Sequence, residues 1–105
     1  MPIDLKPHDH ATVQAILERL LPGREVRAFG SRVSGKAKEF SDLDLAVMGE
    51  EPVSDAVLAD LRDAFRESDL PFKVDVLEWA ATRGSFRTII EREWVLLREE
   101  KVLST

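Results

Sequence analysis

The chain has 105 residues, 44% of them hydrophobic, and a net charge of −5 at pH 7. We expect a single domain over residues 1–105 with a modest core and, because cysteine is absent, neither disulfides nor thiolate metal sites. The acidic balance, with Lys and Arg interleaved among Asp and Glu, argues against direct nucleic-acid binding.

The first half of the chain predicts a helix and then a strand. Apolar residues recur at helical spacing at Val13, Ile16, Leu17, Leu20 and Leu21. Asp9 is the predicted N-cap of this helix, and Pro22-Gly23 ends it. Residues 26–29 then read as a strand that runs into a turn at Gly30-Ser31.

The second half alternates strands and helices. Residues 43–48 form a largely apolar strand, Ser54 caps a helix that ends near Ser68, and residues 72–77 form a third strand. Gly84-Ser85 opens a last helical segment, in which residues 94–97 fit a helix and a short strand equally well. We therefore predict an α/β (α+β) fold with a small mixed sheet of three to four strands packed with helices.

Two acids define the most informative motif. Asp42 and Asp44 are two residues apart on the predicted strand, so their side chains share one face while Leu43 faces the other way. Such close carboxylates disfavour joint ionisation unless a hard cation such as Mg²⁺ binds between them and phosphate oxygens. A solvated turn is the alternative for Asp-x-Asp taken alone.

A glycine turn precedes these acids at a fixed distance. Gly30 lets the backbone approach a phosphate closely, and Ser31 offers a hydroxyl and an amide to phosphate oxygens. The alternative is an ordinary glycine turn. Arg32 is equally consistent with binding the charged leaving group and with a solvated loop position. Lys36 and Lys38, in the same loop, fit solvated lysines better.

A third acid lies inside the third strand. Asp75 interrupts an apolar segment, and beside Asp42 and Asp44 it could share the metal and orient the proton of an attacking hydroxyl. A strand-edge aspartate is the alternative. Among the remaining candidates, His8 and His10 are expected at the surface, whereas Trp79 and Trp94 are expected in the core or an interface.

With Gly30-Ser31, ten residues and then Asp42-Leu43-Asp44, the chain resembles the minimal nucleotidyltransferases of the polymerase beta superfamily. Within that group it is most similar to the antitoxins of HEPN/MNT toxin–antitoxin pairs. One departure is that many relatives carry a second basic residue where this chain has Ser34.

The resemblance implies adenylyl transfer. It implies that Asp42 and Asp44 bind two Mg²⁺ ions with the ATP phosphates, that Gly30 and Ser31 hold the triphosphate, and that Asp75 helps to activate the acceptor hydroxyl. It also implies a HEPN-type ribonuclease toxin as partner. The chain contains no tyrosine, so a tyrosine acceptor would lie on another molecule.

Two other hypotheses remain open on the sequence. A catalytically silent antitoxin or scaffold would keep the fold and act by binding, and a transferase could act on a small molecule. The sequence has neither a signal pattern nor a membrane-length apolar run, which favours a cytoplasmic protein without membrane contact. It leaves open a homo-oligomer. Apolar residues near the C-terminus fit a docking surface as well as core packing: Trp94, Val95, Leu96, Leu97, Val102 and Leu103.

Overall fold

The computed structural model describes residues 3–98, which contain four helices, four strands and one 3₁₀ helix. In chain order these are α1 (Pro7–Leu20), β1 (Val26–Phe29), α2 (Ser31–Ser34), β2 (Leu43–Val47), α3 (Asp55–Glu67), β3 (Val74–Glu78), the 3₁₀ helix (Trp79–Ala81), α4 (Gly84–Arg92) and β4 (Trp94–Arg98). This arrangement confirms the predicted mixed α/β fold. Between residues 3 and 98, no helix is both long enough and apolar enough to span a membrane.

The strands form one mixed sheet in the order β3-β2-β1-β4. β1 is antiparallel to both of its neighbours, β2 and β4, whereas β2 and β3 are parallel. A parallel pair needs a crossover, and α3 supplies it between β2 and β3. Because β1 and β2 are antiparallel, the C-terminal end of β1 lies beside the N-terminal end of β2. Because β2 and β3 are parallel, the N-terminal end of β3 lies at the same end of the sheet.

The helix starts follow local chemistry. Ser54 caps α3 as predicted, since its side chain accepts a hydrogen bond from the Val57 amide at 3.2 Å. The predicted cap of α1 at Asp9 is wrong, because the helix begins two residues earlier, at Pro7. Proline suits the first helical position, where its missing N–H costs nothing, and Asp9 instead lies buried in the first turn.

Hydrophobic side chains pack on both faces of the sheet. The larger cluster is formed by strand residues with α1 and α3, and includes Leu17, Leu45 and Leu61. A smaller cluster on the other face contains Phe29, Ala46, Met48, Trp79 and Ile90. These two layers position the site at the sheet end where β1 finishes and β2 and β3 begin.

Residues 94–97, which fit a helix and a short strand equally well in the sequence, belong to the strand β4. It pairs with β1, with Phe29 opposite Trp94 and Ala28 opposite Val95. Alternation along the strand turns Val95 and Leu97 toward the larger cluster and leaves Trp94 and Leu96 partly exposed. The core prediction is therefore confirmed for Val95 and Leu97. A docking role for Trp94 and Leu96 stays a prediction, and Val102 and Leu103 lie outside the described residues.

Candidate active site

Gly30 ends β1 in a conformation that only glycine adopts readily. Its backbone angles are φ 82° and ψ −157°, a region that a Cβ makes strained. The amides of Val33 and Ser34 both donate to the Gly30 carbonyl at 3.0 Å and so begin α2. The Ser31 amide precedes these bonds, which places it among the donors that a helix start does not satisfy.

The turn lies directly against an acidic side chain. A Cβ added to Gly30 would stand 2.3 Å from Oδ2 of Asp44 and 3.2 Å from its Cγ. The antiparallel register explains this closeness, because Phe29 at the end of β1 is paired with Asp44 near the start of β2. The sequence spacing between the glycine and the acid thus corresponds to direct contact in the fold.

Asp44 also faces a second acid across the sheet. The parallel register places it opposite Asp75 on β3. Burial raises the pKa of the Asp44 carboxyl, and the neighbouring charges of Asp75 and then Asp42 raise that pKa further. The structure therefore brings the three predicted acids into one electrostatic environment, in which a negative charge on Asp44 is disfavoured.

A lysine offsets part of this negative charge. Lys73 Nζ lies 3.3 Å from Oδ1 of Asp75, two positions away on the same strand face. Among residues 3–98, no three acidic or histidine side chains are grouped closely enough to form a ready-made metal cage. Mg²⁺ usually binds through one or two carboxylates and takes its other ligands from phosphate and water, so the oxygen donors present fit that ion.

Arg32 lies beside the turn, but its guanidinium group points into the protein. The side chain is buried, and Nε, Nη1 and Nη2 donate to the carbonyls of Ser41, Asp4 and Glu39 at 2.9, 2.9 and 3.0 Å. The guanidinium also stacks on Phe72, 4.1 Å from the ring centroid. These contacts tie the N-terminal segment to the loop that leads to Asp42. A nucleotide contact by Arg32 stays a prediction.

A cavity of about 370 Å³ opens beside the glycine turn. Its lining combines the turn with the end of α4: Gly30, Ser31, Ser34, Lys36, Ile89, Arg92 and Glu93. Sequence reasoning gave Lys36 little weight and missed Arg92. The helical spacing of α4 was visible in the sequence, but only the packing of α4 across the sheet brings Arg92 to the turn. Two cations, Lys36 and Arg92, and one acid, Glu93, therefore line the cavity beside the predicted phosphate site.

The remaining candidates lie apart from the acids. His8 is exposed, and its Nε2 lies 2.9 Å from Asp69, whose hydrogen bond and charge raise the pKa of His8. Trp79 is buried in the smaller cluster, as predicted. Trp94 is 38% exposed, and the guanidinium of Arg27 stacks 3.8 Å from its ring centroid.

Comparison with known proteins identifies the family. A model of the nucleotidyltransferase domain family matches residues 11–101 of this chain. The chain belongs to that family and is a nucleotidyltransferase. It is similar to a Haemophilus influenzae protein named as a probable protein adenylyltransferase MntA, with 48% identity over 99 residues that cover 94% of this chain and 87% of the relative.

Solved structures share the fold at low sequence identity. One, described as a toxin–antitoxin with AMP-PNP, superposes with a TM-score of 0.71 at 18% identity, over 87% of this chain and 73% of that one. Another is a tri-AMPylated Shewanella oneidensis HEPN toxin in complex with an MNT antitoxin. That match has a TM-score of 0.67 at 17% identity and covers 90% of this chain and 73% of the other. The predicted resemblance to minimal nucleotidyltransferases is confirmed.

Proposed function

We propose that this chain transfers AMP from ATP to a hydroxyl group of a protein partner and so acts as the antitoxin of a HEPN-type ribonuclease toxin. The observation that carries the chemistry is the contact between the Gly30 turn and Asp44, which in turn lies opposite Asp75. This arrangement gives a phosphate-binding turn and a set of carboxylates at one end of the sheet. The name of the Haemophilus relative supports a protein as the acceptor.

The triphosphate is assigned to the turn and to the cavity beside it. Gly30 admits a phosphate because it has no side chain, and Ser31 offers its hydroxyl and amide as donors. Lys36 and Arg92 line the same cavity and supply positive charge where Ser34 supplies none. Arg32 is assigned an indirect part in which it holds the loop before Asp42 in place.

The carboxylates are assigned to the metal. One or two of the carboxylates of Asp42, Asp44 and Asp75 would hold Mg²⁺, which when bound neutralises charge on the carboxylates and on the phosphate oxygens. The raised pKa of Asp44 supports this assignment, because burial and then the charges of Asp75 and Asp42 disfavour its ionised form, which a bound cation would stabilise.

The reaction is an in-line displacement at the α-phosphorus of ATP. The acceptor oxygen forms a bond to phosphorus while the bond to the pyrophosphate oxygen breaks. The hydroxyl proton passes to the carboxylate of Asp75, and the pyrophosphate leaves toward Ser31, Lys36 and Arg92. In this scheme the protein mainly orients the reactants and balances charge.

The partner assignment rests on the relatives and on an exposed apolar surface. Four large apolar side chains of α4 and β4 are between 38% and 55% exposed: Phe86, Ile89, Trp94 and Leu96. Exposed apolar groups in such number are typical of protein contact surfaces. Ile89 also lines the cavity beside Ser31, so a partner seated on this surface would lie next to the phosphate side of the site.

Co-expression tests the proposal. A HEPN-type toxin would be produced together with the wild-type chain or with the Asp42→Asn/Asp44→Asn variant, and the intact mass of the toxin would be measured. We expect AMP on the toxin and survival of the host only with the wild type. Survival with the variant and an unmodified toxin would instead support a silent antitoxin that acts by binding.

A further inference from the structure

A groove of about 480 Å³ runs between α3 and the outer edge of β3. Its floor is apolar and includes Phe72 and Val74, and its rim carries Arg62, Arg66 and Lys73. Asp75 also lines it, so the groove reaches one of the three acids of the site. We call this feature the β3 groove.

The geometry of the reaction places the acceptor on this side. In an in-line displacement the entering hydroxyl and the leaving pyrophosphate lie on opposite sides of the phosphorus. The phosphate-binding turn at Gly30 ends β1, and the sheet order places β2 with Asp44 between β1 and β3. Two strand spacings, about 10 Å, therefore separate the turn from Asp75, with room for the reacting phosphorus between them.

The charge of the groove is opposite to that of the whole chain. The chain has a net charge of −5, yet the groove lining contains three cations and one acid. Arg66 is largely exposed and pairs with Asp63 at 3.0 Å, and Lys73 is 72% exposed beside Asp75. Such exposed cations are available to an incoming carboxylate, because surface ion pairs of this type are weak and exchange readily.

The backbone of β3 favours an extended ligand. Within residues 3–98, the sheet order leaves the outer side of β3 without a neighbouring strand. The Lys73 carbonyl accepts from Leu43 on β2, so by alternation the backbone groups of Val74 face outward into the groove. Further along, Arg62 already donates to the outward carbonyl of Val76 at 3.0 Å, which limits pairing to the end near Asp75.

We propose that the β3 groove binds an extended, acidic segment of the acceptor protein and presents its hydroxyl to the carboxylates. This inference rests on the proposed function and adds the chemistry of the substrate segment. The apolar floor would take a neighbouring apolar side chain, and the cations of the rim would select acidic residues beside the modified one.

The test is steady-state transfer of α-labelled AMP to the HEPN-type partner by the Arg66→Glu variant. Arg66 is 74% exposed and loses only an i,i+3 pair, so the fold should survive, which thermal melting would verify. We expect the KM for the acceptor to rise about fivefold while the KM for ATP stays unchanged. Adding Lys73→Gln should raise the KM for the acceptor further. Arg19→Glu, which makes the same charge change on α1, should leave both constants unchanged.

Peptide competition gives a second readout. Hexaglutamate should inhibit competitively against the acceptor and not against ATP, whereas hexalysine should not inhibit. Unchanged acceptor KM in Arg66→Glu, or a rise confined to the KM for ATP, would overturn the groove assignment and leave AMP transfer standing. If the wild type transfers no label to any protein, the proposed function fails and the groove assignment fails with it.

Discussion

Asp44 leaves no room for a side chain on Gly30, since a Cβ at that position would lie 2.3 Å from the Asp44 carboxylate oxygen Oδ2. This contact explains the fixed distance between the Gly-Ser turn and the acids in the sequence. The ten intervening residues, 32–41, form the rest of α2 and the loop that returns the chain antiparallel to β1. The motif therefore records a packing requirement as well as a set of chemical groups.

Replacing Gly30 with alanine should damage both the fold and the reaction. The added Cβ meets the Asp44 carboxylate, and the residue keeps a φ of 82° that alanine rarely adopts. We expect the free energy of unfolding to fall by about 2–4 kcal/mol. Transfer activity should fall roughly 100-fold, because a displaced Asp44 misaligns the phosphate. Chemical denaturation and a transfer assay would measure the two effects.

Gly35→Ala is the matched control for that substitution. Gly35 also has a positive φ, 84°, but a Cβ there would meet nothing within 4 Å. Gly35→Ala should lower the free energy of unfolding by only about 1 kcal/mol, because alanine is strained in the left-handed conformation. Its transfer activity should stay near that of the wild type. Equal loss of activity in the two variants would contradict the role given to the Gly30–Asp44 contact.

Asp44→Asn should stabilise the metal-free protein at neutral pH. The folded-state pKa of Asp44 is raised above its ordinary 3.8, so folding favours the protonated carboxyl. The wild type therefore loses stability as pH rises from below 3.8 through the folded-state pKa, and the variant lacks that loss. The Tm of the variant should exceed that of the wild type by a few degrees at pH 7, and the gap should close in acid.

Melting curves across pH, with and without Mg²⁺, would check this prediction. Asp60→Asn, which removes an exposed carboxylate of α3, controls for the change in net charge. Mg²⁺ should raise the Tm of the wild type more than that of Asp44→Asn. A lower Tm for Asp44→Asn at every pH would show that the carboxylate is a stabilising group instead.

The sequence predicted the elements whose signals are local. The amphipathic spacing of α3 and its serine cap, the strands β1, β2 and β3 and the glycine turn all follow from nearby residues. The strand β4 could not be decided in this way, because residues 94–97 are apolar throughout and suit either state. Its pairing with β1, about 70 positions earlier in the chain, decides the structure.

Arg32→Lys should reduce stability more than nucleotide binding. Lysine cannot reproduce the three hydrogen bonds to backbone carbonyls or the flat contact with Phe72. We expect the free energy of unfolding to fall by about 2–4 kcal/mol. Arg83→Lys, which changes an exposed arginine, should lower the free energy of unfolding far less. A variant with wild-type stability and a selectively raised KM for ATP would favour direct nucleotide contact by Arg32.

Lys36→Gln and Arg92→Gln should weaken ATP binding. Both side chains line the cavity beside Ser31. Each substitution removes a charge-assisted contact to the phosphate tail, so the affinity for ATP should fall about tenfold. Affinity for AMP should change little, since AMP lacks the outer phosphates. Lys38→Gln is the control, because Lys38 lines a different cavity. Titrations with both nucleotides would measure the effect, and equal loss for ATP and AMP would argue against it.

The parts of the site that escaped prediction depend on distant packing. Arg92 belongs to α4 and reaches the glycine turn only because α4 packs on the sheet face that carries Phe29 and Ala46. The burial of Arg32 depends on the carbonyls of Asp4 and Glu39, and no sequence pattern around residue 32 predicts these contacts. Asp75, in contrast, stood out within its own strand because a carboxylate interrupted an apolar run.

The most direct test of the proposed AMP transfer is to follow label from α-phosphate-labelled ATP to a purified HEPN-type toxin, the proposed partner, with Mg²⁺ or with EDTA. We expect label on the toxin with wild-type protein and Mg²⁺, and none with EDTA or with Asp42→Asn/Asp44→Asn. An unlabelled partner that both proteins bind and neutralise equally would contradict it, and would make this nucleotidyltransferase fold a binding module.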